Sequence, residues 1–190
     1  LYLSGGTSNG TLLSSVTVEI AGNLGVQTLT FVSGRPLSAV VAAVNTLTEA
    51  TGVSASLVNA ADQASGMVFN SVNYGSDEFV SVRRLGSGGE FFEVYDPDAN
   101  MVQRDEGRDV SAVVNGALAT GDGLDVKLNT PTLAVDLTLT AGYATNPGTS
   151  STFHITGGGA DFQVGPEVTA LQRIGFGVQS VAASRLGGST

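Results

Sequence analysis

Helical spacing of apolar residues occurs once in this chain. Leu37, Val40, Val41, Val44 and Leu47 recur at three- and four-residue intervals, the stripe of a helix that buries one face. Pro36 suits the first helical position, Ser33 or Gly34 the cap, and Gly52 the left-handed residue that ends the helix. The spacing predicts one amphipathic helix over residues 36–50, about four turns long. On either side the period is two. Val16, Val18 and Ile20 alternate with Thr17 and Glu19, Asn23-Leu24-Gly25 makes a turn, and residues 28–32 return as a second strand. Residues 53–57 resume as strand. This order predicts a helix laid across a strand hairpin, with the Leu37–Leu47 stripe buried.

The remainder reads as β. The chain has 26 glycines, which favour many turns between short strands over long helices. Residues 66–69 and 78–82 look like paired strands joined through Asn73-Tyr74-Gly75-Ser76, and residues 91–95 form another. An acidic loop follows from Asp96 to Asp109. Residues 110–114 meet an Asn115-Gly116 turn, a strong hairpin signal. Residues 124–128 and 133–139 alternate cleanly, a loop covers 144–151, and short strands are expected around Phe153, Phe162 and Ile174. The fold class expected is α+β, β-dominated, with short antiparallel sheets and one main amphipathic helix packed on a hairpin. Glycine and serine gather at Leu85-Gly86-Ser87-Gly88-Gly89. The organisation expected is therefore an N-terminal lobe over 1–89, a β-rich lobe with the acidic loop over 90–159, and return strands over 160–190.

Composition bounds the chemistry. A net charge of −9 with scattered cations repels phosphate backbones, so no nucleic-acid partner is expected. The chain has no cysteine, which removes disulfides and thiolate metal sites, and no apolar run long enough to span a bilayer as a helix. It opens within strand-like sequence, Leu1-Tyr2-Leu3, with neither a Met nor a signal peptide, which suggests a piece of a longer protein. His154 is the single histidine, so a His-based triad or a two-histidine metal site is not available within the chain; between Phe153 and Ile155 it reads as an outward strand residue.

Asp96, Asp98 and Asn100 imitate the opening of a calcium loop. Met101 then stands where that loop needs glycine and Gly107 where it needs glutamate, so an exposed turn built by Pro97 is expected. Asp105, Glu106 and Asp109 beside Arg104 and Arg108 read as a solvated loop with local ion pairs rather than as glycosidase carboxylates. Gly86-Ser87-Gly88-Gly89 and Gly157-Gly158-Gly159 lack the lysine of a phosphate cradle and read as turns. Asn9-Gly10-Thr11 is a glycosylation sequon, a short and common pattern. No catalytic, cofactor or metal residues are assigned, and no enzyme activity is expected.

Three stretches together resemble the bacterial flagellins and their relatives. Residues 18–31 (Val-Glu-Ile-Ala-Gly-Asn-Leu-Gly-Val-Gln-Thr-Leu-Thr-Phe), 39–45 (Ala-Val-Val-Ala-Ala-Val-Asn) and 51–55 (Thr-Gly-Val-Ser-Ala) look like the hook IN motif of flagellins, hook-associated junction proteins and the filament cap. Residues 74–82 (Tyr-Gly-Ser-Asp-Glu-Phe-Val-Ser-Val) are similar to a strand pair in large flagellins. Phe162-Gln163-Val164-Gly165-Pro166 resembles the segment where flagellins re-enter the filament core. The resemblance implies a surface-exposed middle segment of an extracellular flagellar filament subunit, supporting motility. It implies partners in other flagellin subunits, met through terminal helices that this sequence lacks, and hence a monomeric isolated segment. It also implies that residues 1–3 and 162–176 lie at one end, where an inserted domain leaves and rejoins its host. A hook-associated or cap segment, or a secreted β-rich adhesin module, is the alternative; the absence of tryptophan and the spread of Phe and Tyr speak against a sugar-binding aromatic platform.

Overall fold

The structure, a computed structural model, describes residues 1–3, 7–8, 10–131, 133–146, 148–154, 160–163 and 173–176. It begins with β1 (Tyr2–Leu3) and a small ladder of β2 (Thr7–Ser8) with β3 (Thr11–Leu12). The hairpin β4 (Val16–Gly22) and β5 (Gly25–Phe31) leads into α1 (Leu37–Asn45), the single turn α2 (Thr48–Thr51), and a second hairpin of β6 (Val53–Asn59) and β7 (Asp62–Ser71). Then come β8 (Phe79–Leu85), β9 (Val94–Tyr95) and β10 (Arg104–Glu106). Beyond them lie β11 (Val113–Val114), β12 (Ala117–Leu118), β13 (Thr120–Asp122), β14 (Asp125–Thr130), β15 (Leu133–Thr138) and the short α3 (Ala141–Ala144). β16 (Ala160–Gln163) and β17 (Arg173–Phe176) pair antiparallel, Phe162 opposite Ile174. The molecule is α+β and β-dominated, as its sequence pattern implies.

Two antiparallel four-stranded sheets, β6-β7-β1-β9 and β10-β8-β4-β5, share one apolar cluster. Val16, Val18 and Ile20 of β4 are buried in strict alternation, and Val80 and Val82 of β8 bury beside them. The other sheet contributes Leu3, Val53, Met67 and Phe69. Leu37, Val40 and Val44 supply the buried helical stripe, with Val41 half-buried against the same cluster. Each such side chain contributes about 1.5–3 kcal/mol. The helix packs on the β6–β7 hairpin. The first cluster runs from Leu1 through Phe92 and Val94, so it crosses Gly89; a second, around Ala119, Val126 and Leu128, takes its half-buried partners from Val110 onward. Among the described residues no helix is long and apolar enough to cross a membrane.

Several local expectations are corrected. The four-turn helix is broken at Thr46–Leu47. The Leu47 N–H bonds to the Val44 carbonyl, a three-residue step, and the Thr46 hydroxyl donates to the Ala43 carbonyl at 2.7 Å; both tighten the chain out of α geometry. Gly52 closes α2 as expected, left-handed at φ 75° with its N–H on the Thr48 carbonyl. Pro36 is the cap rather than the first helical residue, because residues 34–37 are tied to 10–12. Gly34 N–H donates to Leu12 O, Leu12 N–H to Arg35 O, and Leu37 N–H to Gly10 O, which hold Pro36 extended at ψ 144°. The Gly10 carbonyl also pairs one of the orphan helix donors.

The stretch 66–69 lies in β7 and 79–82 in β8, but these strands belong to different sheets and are not paired with one another. Only Val94 and Tyr95 of the 91–95 stretch are strand, and the acidic loop itself contains β10, paired to β8. Phe153 lies outside any strand.

Candidate functional site

The candidates legible in the sequence separate once folded. His154 is exposed and outside any strand. Asp96 turns inward on its own loop: its Oδ1 accepts from the Asn100 N–H at 2.8 Å and its Oδ2 from the Asn100 amide at 2.9 Å, with Ala99 held at φ 64°. Those bonds favour the charged form and hold the carboxyl below its ordinary range. Arg104 forms an ion pair with Glu106 at 3.1 Å and lies 3.6 Å above the Phe79 ring. No group of three or more His, Asp or Glu converges among the described residues. Gly86 and Gly89 are turn glycines at positive φ. Asn9 and Gly157-Gly158-Gly159 lie outside the described residues, as do Val164-Gly165-Pro166.

Asp109 behaves differently from the loop around it. Among the described residues it makes no ion pair. Its Oδ1 accepts the Ser76 N–H and the Gly123 N–H, each at 2.9 Å, and its Oδ2 accepts the Ser76 hydroxyl at 2.6 Å. The Ser76 hydroxyl above all, then the two N–H groups, pull its carboxyl below the usual range. Ser76 lies in the turn between β7 and β8, and Gly123 in the turn between β13 and β14. The backbones there touch. A Cβ on Gly75 would stand 3.0 Å from the Gly123 Cα, one on Gly123 2.7 Å from the Tyr74 carbonyl oxygen, and one on Gly107 would collide with the Gly75 carbonyl oxygen. The Val110 N–H donates to the Gly123 carbonyl at 3.0 Å. Sequence reading missed this cluster because its members come from separate segments, Ser76 lying 33 positions from Asp109 and Gly123 lying 14 from it. The one available signal was the recurrence of glycine on both sides of the acidic loop.

The second unit also holds a cleft of about 410 Å³ under the β11–β12 hairpin, lined by Ala112, Val114, Leu137, Leu139, Tyr143 and Phe153 among others. Among the described residues no charged side chain lines it, and it can shelter apolar or neutral polar groups.

No family model matches this chain, and no curated protein or solved structure matches it either.

Proposed function

We propose that the chain is a surface-exposed outer segment of a bacterial flagellar filament subunit, acting as a structural element outside the cell and not as a catalyst. The observation that carries this reading is the behaviour of residues 18–57. The three stretches resembling the hook IN motif form consecutive elements, β4–β5, α1–α2 and the start of β6, that pack on one core. Val18, Ile20, Phe31, Val40, Val44, Val53 and Ala55 of the motif all enter the same core. The motif residues thus supply much of the packing of the first cluster, which Leu3, Met67, Phe69, Val80 and Val82 from neighbouring strands complete into one compact unit. The acidic, cysteine-free composition suits a surface held in water. On this reading subunit contacts are made by flanking helices of the parent protein, and the segment carries none of the chemistry of assembly.

Gold-labelled antibodies raised against the segment test the proposal on cells that express the parent protein. Labelling along the whole filament supports it. Labelling confined to the hook–filament junction or to the tip assigns the segment to a hook-associated or cap protein. Labelling of the cell envelope alone replaces the reading with that of an adhesin.

A further inference from the structure

We propose that Asp109, with Gly75, Gly107 and Gly123, forms a pin that holds the second apolar unit of the molecule at a fixed orientation on the first. The inference stands whichever machine the chain serves. Its starting point is that the two apolar clusters share no residue: one ends at Val94 and Val102, the other begins at Val110. Two units without a common core move relative to each other unless something else restrains them.

Near Asp109, polar and backbone contacts join them. Three segments converge there: the Tyr74–Ser76 turn, the stretch from Gly107 to Asp109, and the turn at Gly123 between β13 and β14. The single Asp109 carboxylate takes two donors from the first unit, both on Ser76, and one from the second, on Gly123. Charge-assisted bonds of this kind are stronger than neutral ones. Rotating the second unit would break the Asp109–Gly123 bond and part the Gly75 and Gly123 backbones together. The glycines complete the device. With no Cβ between Gly75 and Gly123, the two turns meet backbone to backbone, and there is no side chain whose rotamer change could absorb a hinge motion. Of the charged neighbours on these segments, Asp77, Glu78, Glu106, Asp122 and Asp125 carry the same sign as Asp109, and the cation Arg108 makes no ion pair with it, so the carboxylate serves the three donors.

The chain lacks cysteine, so Thr28→Cys on β5 and Lys127→Cys on β14, both exposed, place spin labels uniquely on the two units. The expected result is a narrow interlabel distance distribution in the parent, which broadens and shifts in Asp109→Ala while the amide spectra of both units persist. An unchanged narrow distribution in a folded Asp109→Ala overturns the proposal. A second measurement needs no variant. In the unsubstituted protein the Ser76 and Gly123 amides should exchange with solvent as slowly as strand amides of β8 and β14. Exchange as fast as that of exposed loop amides overturns the pin even if Asp109→Ala fails to fold.

Discussion

Gly123 sits at φ 59°, with the space for a Cβ already occupied by the Tyr74 carbonyl oxygen. A Gly123→Ala change therefore meets both a left-handed backbone and a backbone clash, and is expected to cost about 2 kcal/mol, read as a lower urea midpoint. Gly34, also at positive φ but with open space around it, isolates the conformational part: Gly34→Ala should cost about 1 kcal/mol. Val44 is 1% exposed within the first cluster, and Val44→Asp places an unpaired carboxylate there. That change should destabilise the first unit by about 3 kcal/mol or more; an unchanged melting temperature would refute it. Asp109 adds a pH dependence. Its folded carboxyl is held below the ordinary value, so its contribution is present above the unfolded pKa, about 3.9, and is lost as pH falls through the folded value. The difference in urea midpoint between the unsubstituted chain and Asp109→Ala should accordingly be present at neutral pH and shrink toward zero in acid.

Elements here are short because turn chemistry interrupts them, and the two helical pieces show how. The apolar stripe continues through Leu47, yet α1 stops at Asn45 because backbone and hydroxyl bonds at Thr46 and Leu47 compete with the α pattern. Asn45 then turns outward from the helix to clasp β6, its amide donating to the Ala55 carbonyl at 3.0 Å and its Oδ1 accepting the Ala55 N–H at 2.7 Å. An Asn45→Ala change removes both partners at once and should cost about 1–3 kcal/mol, with faster amide exchange at Ala55 as its local signature. The β11–β12 hairpin is the opposite case, an element written almost entirely by its turn. Asn115 at φ 51° and Gly116 at φ 82° give both central residues the positive φ of a two-residue hairpin. Gly116→Val should dissolve this hairpin without touching the first cluster, seen as lost cross-strand NMR contacts between Val113 and Leu118.

At the scale of the whole molecule, core size divides the chain. The first cluster buries side chains from both large sheets and α1, whereas among the described residues the second buries only Ala119, Val126 and Leu128. Opening free energies follow buried apolar contact, so amides of β14 and β15 should exchange faster than those of β4 and β8. Equal protection in the two units would contradict the division. The net charge of −9 also bears on association: the isolated chain should scatter light as a monomer at low ionic strength.

Much of this was legible in the residues themselves, wherever the deciding interaction is local. Alternation located β4, β14 and β15, the stripe at Leu37, Val40 and Val44 located the buried helical face, and Asn115-Gly116 located its hairpin, because pattern and turn geometry act over a few residues. Pairing partners were not legible. β7 and β8 are both good strands, and adjacency in the chain suggests one ladder; only the packing of two sheets around a shared core places them apart. β1 finds its place between β7 and β9 for the same reason, across more than sixty residues on one side and ninety on the other. The role of Asp109 was hidden too. In the sequence it is one more acid in an acidic loop, and its function as an acceptor for Ser76 and Gly123 exists only after two turns from distant segments have met. Local preference acts through sterics and period within a few bonds, whereas pairing and clamping depend on which surfaces can be buried together, a property of the whole chain.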